Sequence, residues 1–250
     1  MSSLPPSGDD KRSSSGRFEQ TQWTVILKAR KEGEPGAAEA MDSFARTYWQ
    51  PIYRYIRREG HNCHQAEDLT QGFYVHFLGK QLLNGIGERT GRFRNYLLTC
   101  LKHFLFDERD RAKALKRGGG NVIISRDALE EEERELLEPR ENLTPDQVFE
   151  QRWAQTIFAD AMNALQSDYE RREQSALFQQ LKDLPHGKHG ERRHSDVAAT
   201  LGITVQAVKN AALTFRRRYE DCLRREVLRT VETSGEVDQE LKYLVQIFSR

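Results

Sequence analysis

Along most of this chain the apolar residues recur three and four positions apart, and nowhere do they alternate with polar ones for the length of a strand. That spacing lines them up on one side of an α-helix, which turns once in about 3.6 residues. The clearest run is Phe149, Trp153, Ile157, Ala161 and Leu165, widened by Phe158 and Met162. Ahead of it stand Thr144 as an N-cap, Pro145 in the first turn and Gln147 three residues after the cap, a strong start signal. Ala37 to Arg58 carries Ala37, Met41, Phe44, Tyr48, Ile52 and Ile56 on one face, with Pro51 expected to kink it. Gly60-His61-Asn62 is a break. Gln65 to Lys80 follows with Leu69, Phe73 and Phe77, and a helix from Arg92 to about Lys116 buries Phe93, Leu97, Leu101, Phe104 and Leu105. Gly118-Gly119-Gly120 ends it. Shorter helices are expected over Thr21 to Arg30, around Trp23, Ile26 and Leu27, and over Gln174 to Leu184. Val122-Ile123-Ile124 is too short and isolated to pair as a strand. The fold class expected is all-α.

Charge divides the chain where hydropathy does not. The whole is nearly neutral, 39 Lys and Arg against 38 Asp and Glu, so net charge selects no partner. Yet Arg89 to Arg117 holds nine basic and three acidic residues, Asp127 to Glu150 ten acidic and two basic, and Glu191 to Arg229 nine basic and five acidic. Two basic modules on an acidic tether point to two separate contacts with a polyanion. The expected organisation is a disordered N-terminus over 1–20, a helical domain over 21–117, a flexible acidic linker over 118–143, a second helical domain over 144–230 and a C-terminal helical extension over 231–250. In the linker, Glu130 to Glu133 with Glu135 and Glu138 resembles a polyanion that could thread a basic channel, and a solvated surface helix is an equal reading.

The most informative segment is Asp196 to Lys209. Ala198 is small enough for two helices to approach closely, Gly202 four residues later can take the positive φ of a turn, and Thr204 can cap the next helix. Val197, Leu201, Ile203 and Val208 fall in register to fill the space between them. This is the pattern of a helix-turn-helix, whose second helix presents its first residues to base edges in the major groove. Thr204, Val205, Gln206, Lys209 and Asn210 are the candidate base-edge residues, while Val208, Ala212 and Phe215 face the core. The amides of Gln206 and Asn210 suit adenine, Lys209 can reach guanine or phosphate, and Arg216, Arg217 and Arg218 lie farther along, where phosphate contact is expected. On the earlier basic helix, cations around Tyr96 and Phe106 suit a single strand, whose phosphates need positive charge and whose bases need a stacking surface.

Three segments taken together resemble bacterial RNA polymerase sigma factors of the extracytoplasmic-function type. They are Ala66-Glu67-Asp68-Leu69-Thr70-Gln71-Gly72-Phe73, then Phe93-Arg94-Asn95-Tyr96-Leu97-Leu98, then Gly202-Ile203-Thr204-Val205-Gln206-Ala207-Val208-Lys209-Asn210, in this order and with a tether between the last two. The resemblance covers roughly residues 23–117 and 144–227. It implies that the first domain binds the polymerase clamp and opens the downstream (−10) promoter element, and that the second reads the upstream (−35) element. It implies that Glu67, Asp68 and Gln71 face the basic clamp helices, and that Arg92, Arg94, Lys102, His103, Asp107 and Arg109 lie near the melted strand. Many members carry Asn at the position of His103 and Arg at that of Ala211. The expected partners are core RNA polymerase and promoter DNA, and the resemblance leaves room for an anti-sigma factor or other regulator. Val237, Leu241, Leu244, Val245 and Phe248 make the extension a short helix, capped by Thr233 and Glu236, that either packs on the second domain or receives such a regulator. The alternative function is a helix-turn-helix regulator that acts without being a polymerase subunit.

Several classes of function are not expected. With 37% apolar residues and no long apolar run, the chain offers no membrane span, and its Ser- and Pro-rich first sixteen residues do not read as a secretory signal. A cytoplasmic location is expected, with Cys63, Cys100 and Cys222 as reduced thiols. His61, Cys63 and His64 lack a fourth zinc ligand at ordinary spacing, and His186, His189 and His194 read as solvated loop residues. Asp107, Glu108 and Asp110 alternate with Arg109 and Arg111 as a helical salt-bridge surface does, not as a nuclease metal site. Gly118-Gly119-Gly120 lacks the Lys-Ser/Thr of a phosphate loop. No enzyme activity, metal or cofactor is expected.

Overall fold

The computed structural model describes residues 37–79, 92–116, 143–184, 190–231 and 234–248. The expected N-terminal disorder, the helix around Trp23, the acidic linker up to residue 142, His186, His189 and the cap residue Thr233 lie outside them. Among the described residues every regular element is helical: α1 Ala37–Arg58, α2 Cys63–Gly79, α3 Phe93–Lys116, α4 Pro145–Arg171, α5 Ser175–Leu181, α6 Gly190–Leu201, α7 Val205–Thr230 and α8 Val237–Phe248, the last preceded by one 3-10 turn over Ser234–Glu236. The chain is all-α there, as its periodicity requires.

Pro51 lies buried inside α1, which runs through it from end to end. The break after α1 is itself a cap. Asn62 Oδ1 accepts from the Gln65 amide at 2.9 Å, and Gln65 Oε1 accepts from the Asn62 amide at 3.3 Å. This reciprocal box starts α2 at Cys63. The box at the head of α4 is the one its sequence announces: the Gln147 amide donates to Thr144 Oγ1 at 3.3 Å and the Thr144 amide to Gln147 Oε1 at 2.8 Å.

Two apolar clusters hold the helices. In the first, Phe44, Tyr48, Phe73, Phe77, Phe93 and Phe104 from α1, α2 and α3 meet with ring centroids 5.4 to 6.4 Å apart. Phe149, Trp153 and Ile157 from the first half of α4 enter this same cluster, joined by Val227 and Val231 at the end of α7 and by Val237, Leu244 and Ile247 of α8. In the second, Ala161, Leu165 and Tyr169 from the other half of α4 pack with Phe178, Val197, Ala198, Val208, Ala212 and Phe215. Both clusters draw on α4. The physical reason lies in α4, whose single stripe runs along 27 residues, roughly 40 Å of helix, and meets a different partner at each end.

α8 docks on α4 and α7, and not every apolar residue of the extension is buried: Val245 is 63% and Phe248 42% exposed. Cys63, Cys100 and Cys222 are free thiols. No helix among the described residues is long and apolar enough to cross a membrane.

Candidate nucleic-acid interface

The face of α2 that carries Glu67, Asp68 and Gln71 is exposed, while Ala66, Thr70 and Phe73 turn inward and Leu69 is half-buried. Val75, four residues beyond Gln71, extends this face with an apolar side chain 74% exposed. Periodicity alone assigned Val75 no role. Its exposure beside a buried aromatic row is what sets it apart.

On α3 the candidate residues separate into three environments. Lys102, His103, Asp107 and Arg109 are exposed, and Phe106 lies among them with 61% of its surface open. Lys102 Nζ pairs with Asp146 Oδ2 of α4 at 2.6 Å, and Arg109 reaches Glu59 Oε2 at 3.4 Å. Arg92, just before α3, is half-buried and pairs with Glu240 Oε2 of α8 at 2.9 Å. Arg94 is not on the surface at all. Only 2% of its side chain is exposed, its guanidinium lies 4.4 Å from the Trp153 ring and 4.6 Å from the Tyr243 ring, and it pairs with Glu150 at 3.1 Å and with Glu240. Burial pulls the Arg94 pKa below its ordinary value while Glu150 pulls the other way. Arg94 thus leaves the set of strand-facing residues and joins the packing between α3, α4 and α8.

A cleft of about 400 Å³ opens beside this cluster, lined by Asn95, Thr99 and Lys102 of α3, Asp146 and Gln147 of α4, and Tyr243 of α8. Among the described residues no group of three or more His, Cys, Asp or Glu stands together to hold a metal ion.

The turn between α6 and α7 is built from backbone and cap. Gly202 takes φ +65°, the Ile203 amide donates to the Ala198 carbonyl at 3.0 Å, and Thr204, extended at φ −74° and ψ 151°, accepts the Ala207 amide on its hydroxyl at 3.1 Å. Val197, Ala198, Val208, Ala212 and Phe215 close the space between the helices. Ile203, expected there with them, is instead 40% exposed. Beyond the turn, Thr204, Val205, Gln206, Lys209, Asn210, Arg216 and Arg217 are exposed. The Gln206 amide donates to Asn210 Oδ1 at 3.1 Å, so the two side chains lie along one stripe. That stripe continues into Leu213, 49% exposed, which the sequence did not single out. Arg218 has a different role from its neighbours. It stacks 5.4 Å from the Tyr169 ring and lies 3.9 Å from Asp168 Oδ2, bracing α7 against α4. Arg171 and Arg172 reach the same carboxylate at 3.1 and 3.0 Å and add two exposed cations at the end of α4.

Comparisons with protein-family models, with curated proteins and with solved structures found no match to this chain.

Proposed function

We propose that the chain is a sigma-type initiation factor, which binds core RNA polymerase through α2, contacts the melted downstream element with α3 and reads the upstream element with α6 and α7 as a helix-turn-helix. On this reading α1 to α3 and α4 to α7 form two functional domains. One observation carries it: a single helical scaffold exposes two separate faces of nucleic-acid chemistry, Lys102, His103, Phe106 and Arg109 on α3 and Gln206, Lys209 and Asn210 on α7. An exposed phenylalanine among cations suits an unstacked base with its phosphates, and a capped helix end with amide side chains suits base edges in a groove. Glu67, Asp68 and Gln71 then supply the acidic surface a basic clamp would take.

A second reading, a helix-turn-helix regulator independent of polymerase, draws on the pairing of Arg92, Lys102 and Arg109 with acidic residues of the same chain. It makes α7 the one working surface. The clamp contact separates the two. Asp68 is exposed and supports no packing, so Asp68→Lys should keep the helical circular dichroism of the wild type and lose co-purification with core polymerase. A variant that co-purifies as well as the wild type rejects the assignment of α2.

A further inference from the structure

The acidic side chain buried most completely among the described residues is Glu240, in the first turn of α8. A buried carboxylate needs cationic partners, and it has Arg92 and Arg94 at the start of α3. Tyr243, one turn on, lies 5.1 Å from the Arg92 guanidinium and 4.6 Å from that of Arg94. Glu150 and Asp146 on α4 add carboxylates to Arg94 and Lys102. Acidic groups thus stand against Arg92 and Lys102, two cations of the strand-facing set, and hold Arg94 inside the packing beside them.

We propose that α8 is an intramolecular clasp: Glu240 holds Arg92 and Arg94 and keeps the start of α3 from nucleic acid until α8 is displaced. The proposal rests on the reading of α3 as a strand-contacting helix. The build of α8 fits a part that lifts as a unit. It has 12 residues, too few to persist as an isolated helix, so its order depends on docking. Besides the buried pairs, its docking rests on Val237, Leu241, Leu244 and Ile247, on Phe248 with its ring centroid 5.6 Å from that of Phe158, and on the exposed bridge from Arg224 to Asp238 at 2.8 Å. When it lifts, Arg94 keeps Glu150, whereas Arg92 loses the Glu240 carboxylate. A phosphate can then take the place of that carboxylate.

The test uses the full chain, without polymerase, and a fluorescein-labelled mixed-sequence single-stranded DNA oligonucleotide. Glu240→Gln should speed hydrogen exchange of the α8 amides and tighten the Kd for the oligonucleotide about tenfold, the gain expected if a minor open population becomes the major one. Unchanged exchange, or faster exchange without tighter binding, overturns the clasp. If Glu240→Gln fails to fold, Asp238→Lys breaks the exposed bridge to Arg224 and leaves the buried cluster whole. It should give the same two changes, with about a threefold gain in binding, and a folded Asp238→Lys with wild-type binding overturns the proposal. Initiation assays with core polymerase keep the two ideas apart. A wild-type chain that initiates while Glu240→Gln gains no DNA affinity condemns the clasp alone. A chain that does not initiate condemns the sigma reading, and a Glu240→Gln gain in affinity stands without it.

Discussion

Arg94 shows how far a residue's role depends on partners distant in sequence. Beside Tyr96 in a basic helix it reads as a strand contact, yet its carboxylates come from positions 56 and 146 residues away. No local pattern carries that information. The opposite holds for Val208, Ala212 and Phe215, whose burial follows from helical spacing and is found. Asp160 and Glu226 were also out of reach of the sequence, because α4 and α7 bring them together near Arg46 and Arg229 in a polar cleft. Burial raises the Glu226 pKa above its ordinary 4.5, Arg229 opposes, and the neighbouring Asp160 adds to the rise. Asp160 is raised by burial too, against Arg46 and Arg229. A carboxyl raised in the folded state binds its proton more tightly there than in the unfolded chain, so its contribution favours folding at low pH and is lost as pH rises through the folded pKa. Urea melts of wild type and Glu226→Gln, taken from about pH 4 to 7, should therefore show the variant gaining stability relative to wild type as pH rises. A difference independent of pH would mean that the carboxylate is not strained by burial.

At the scale of elements, apolar spacing alone placed the starts of α1 and α3 to within a residue, and a recognised cap fixed that of α4. Thr144, Pro145 and Gln147 give the beginning of α4, whereas the box of Asn62 and Gln65 is hidden behind Gly60 and His61 and reads as a break. The turn from α6 to α7 was readable because one glycine does one thing there. A Cβ at Gly202 would meet nothing within 4 Å, so the requirement comes from its φ of +65° and not from crowding. Gly202→Ala should cost about 1–2 kcal/mol in urea denaturation, and Gly202→Asn less, since asparagine tolerates the left-handed region better. Equal losses for both would put the effect in packing instead. What the sequence could not give is the use of α4 at both ends: a four-residue stripe states that a helix buries one face, not which neighbour covers which turn.

For the whole molecule, the charge blocks and the helix-turn-helix pattern outline two basic modules, and three-dimensional packing ties them together through α4 and α8. In this arrangement the α7 face is exposed, and Arg92, Arg94 and Lys102 of the α3 region pair with acids from α4 and α8. That asymmetry is what a factor would need if its downstream contact formed only after it met its polymerase. Run-off transcription with purified core RNA polymerase on genomic DNA fragments tests the central claim most directly. Discrete transcripts that require both the polymerase and this chain are the predicted result. Sequence-selective binding of the same fragments by the chain alone, with no transcript when core polymerase is added, would contradict it.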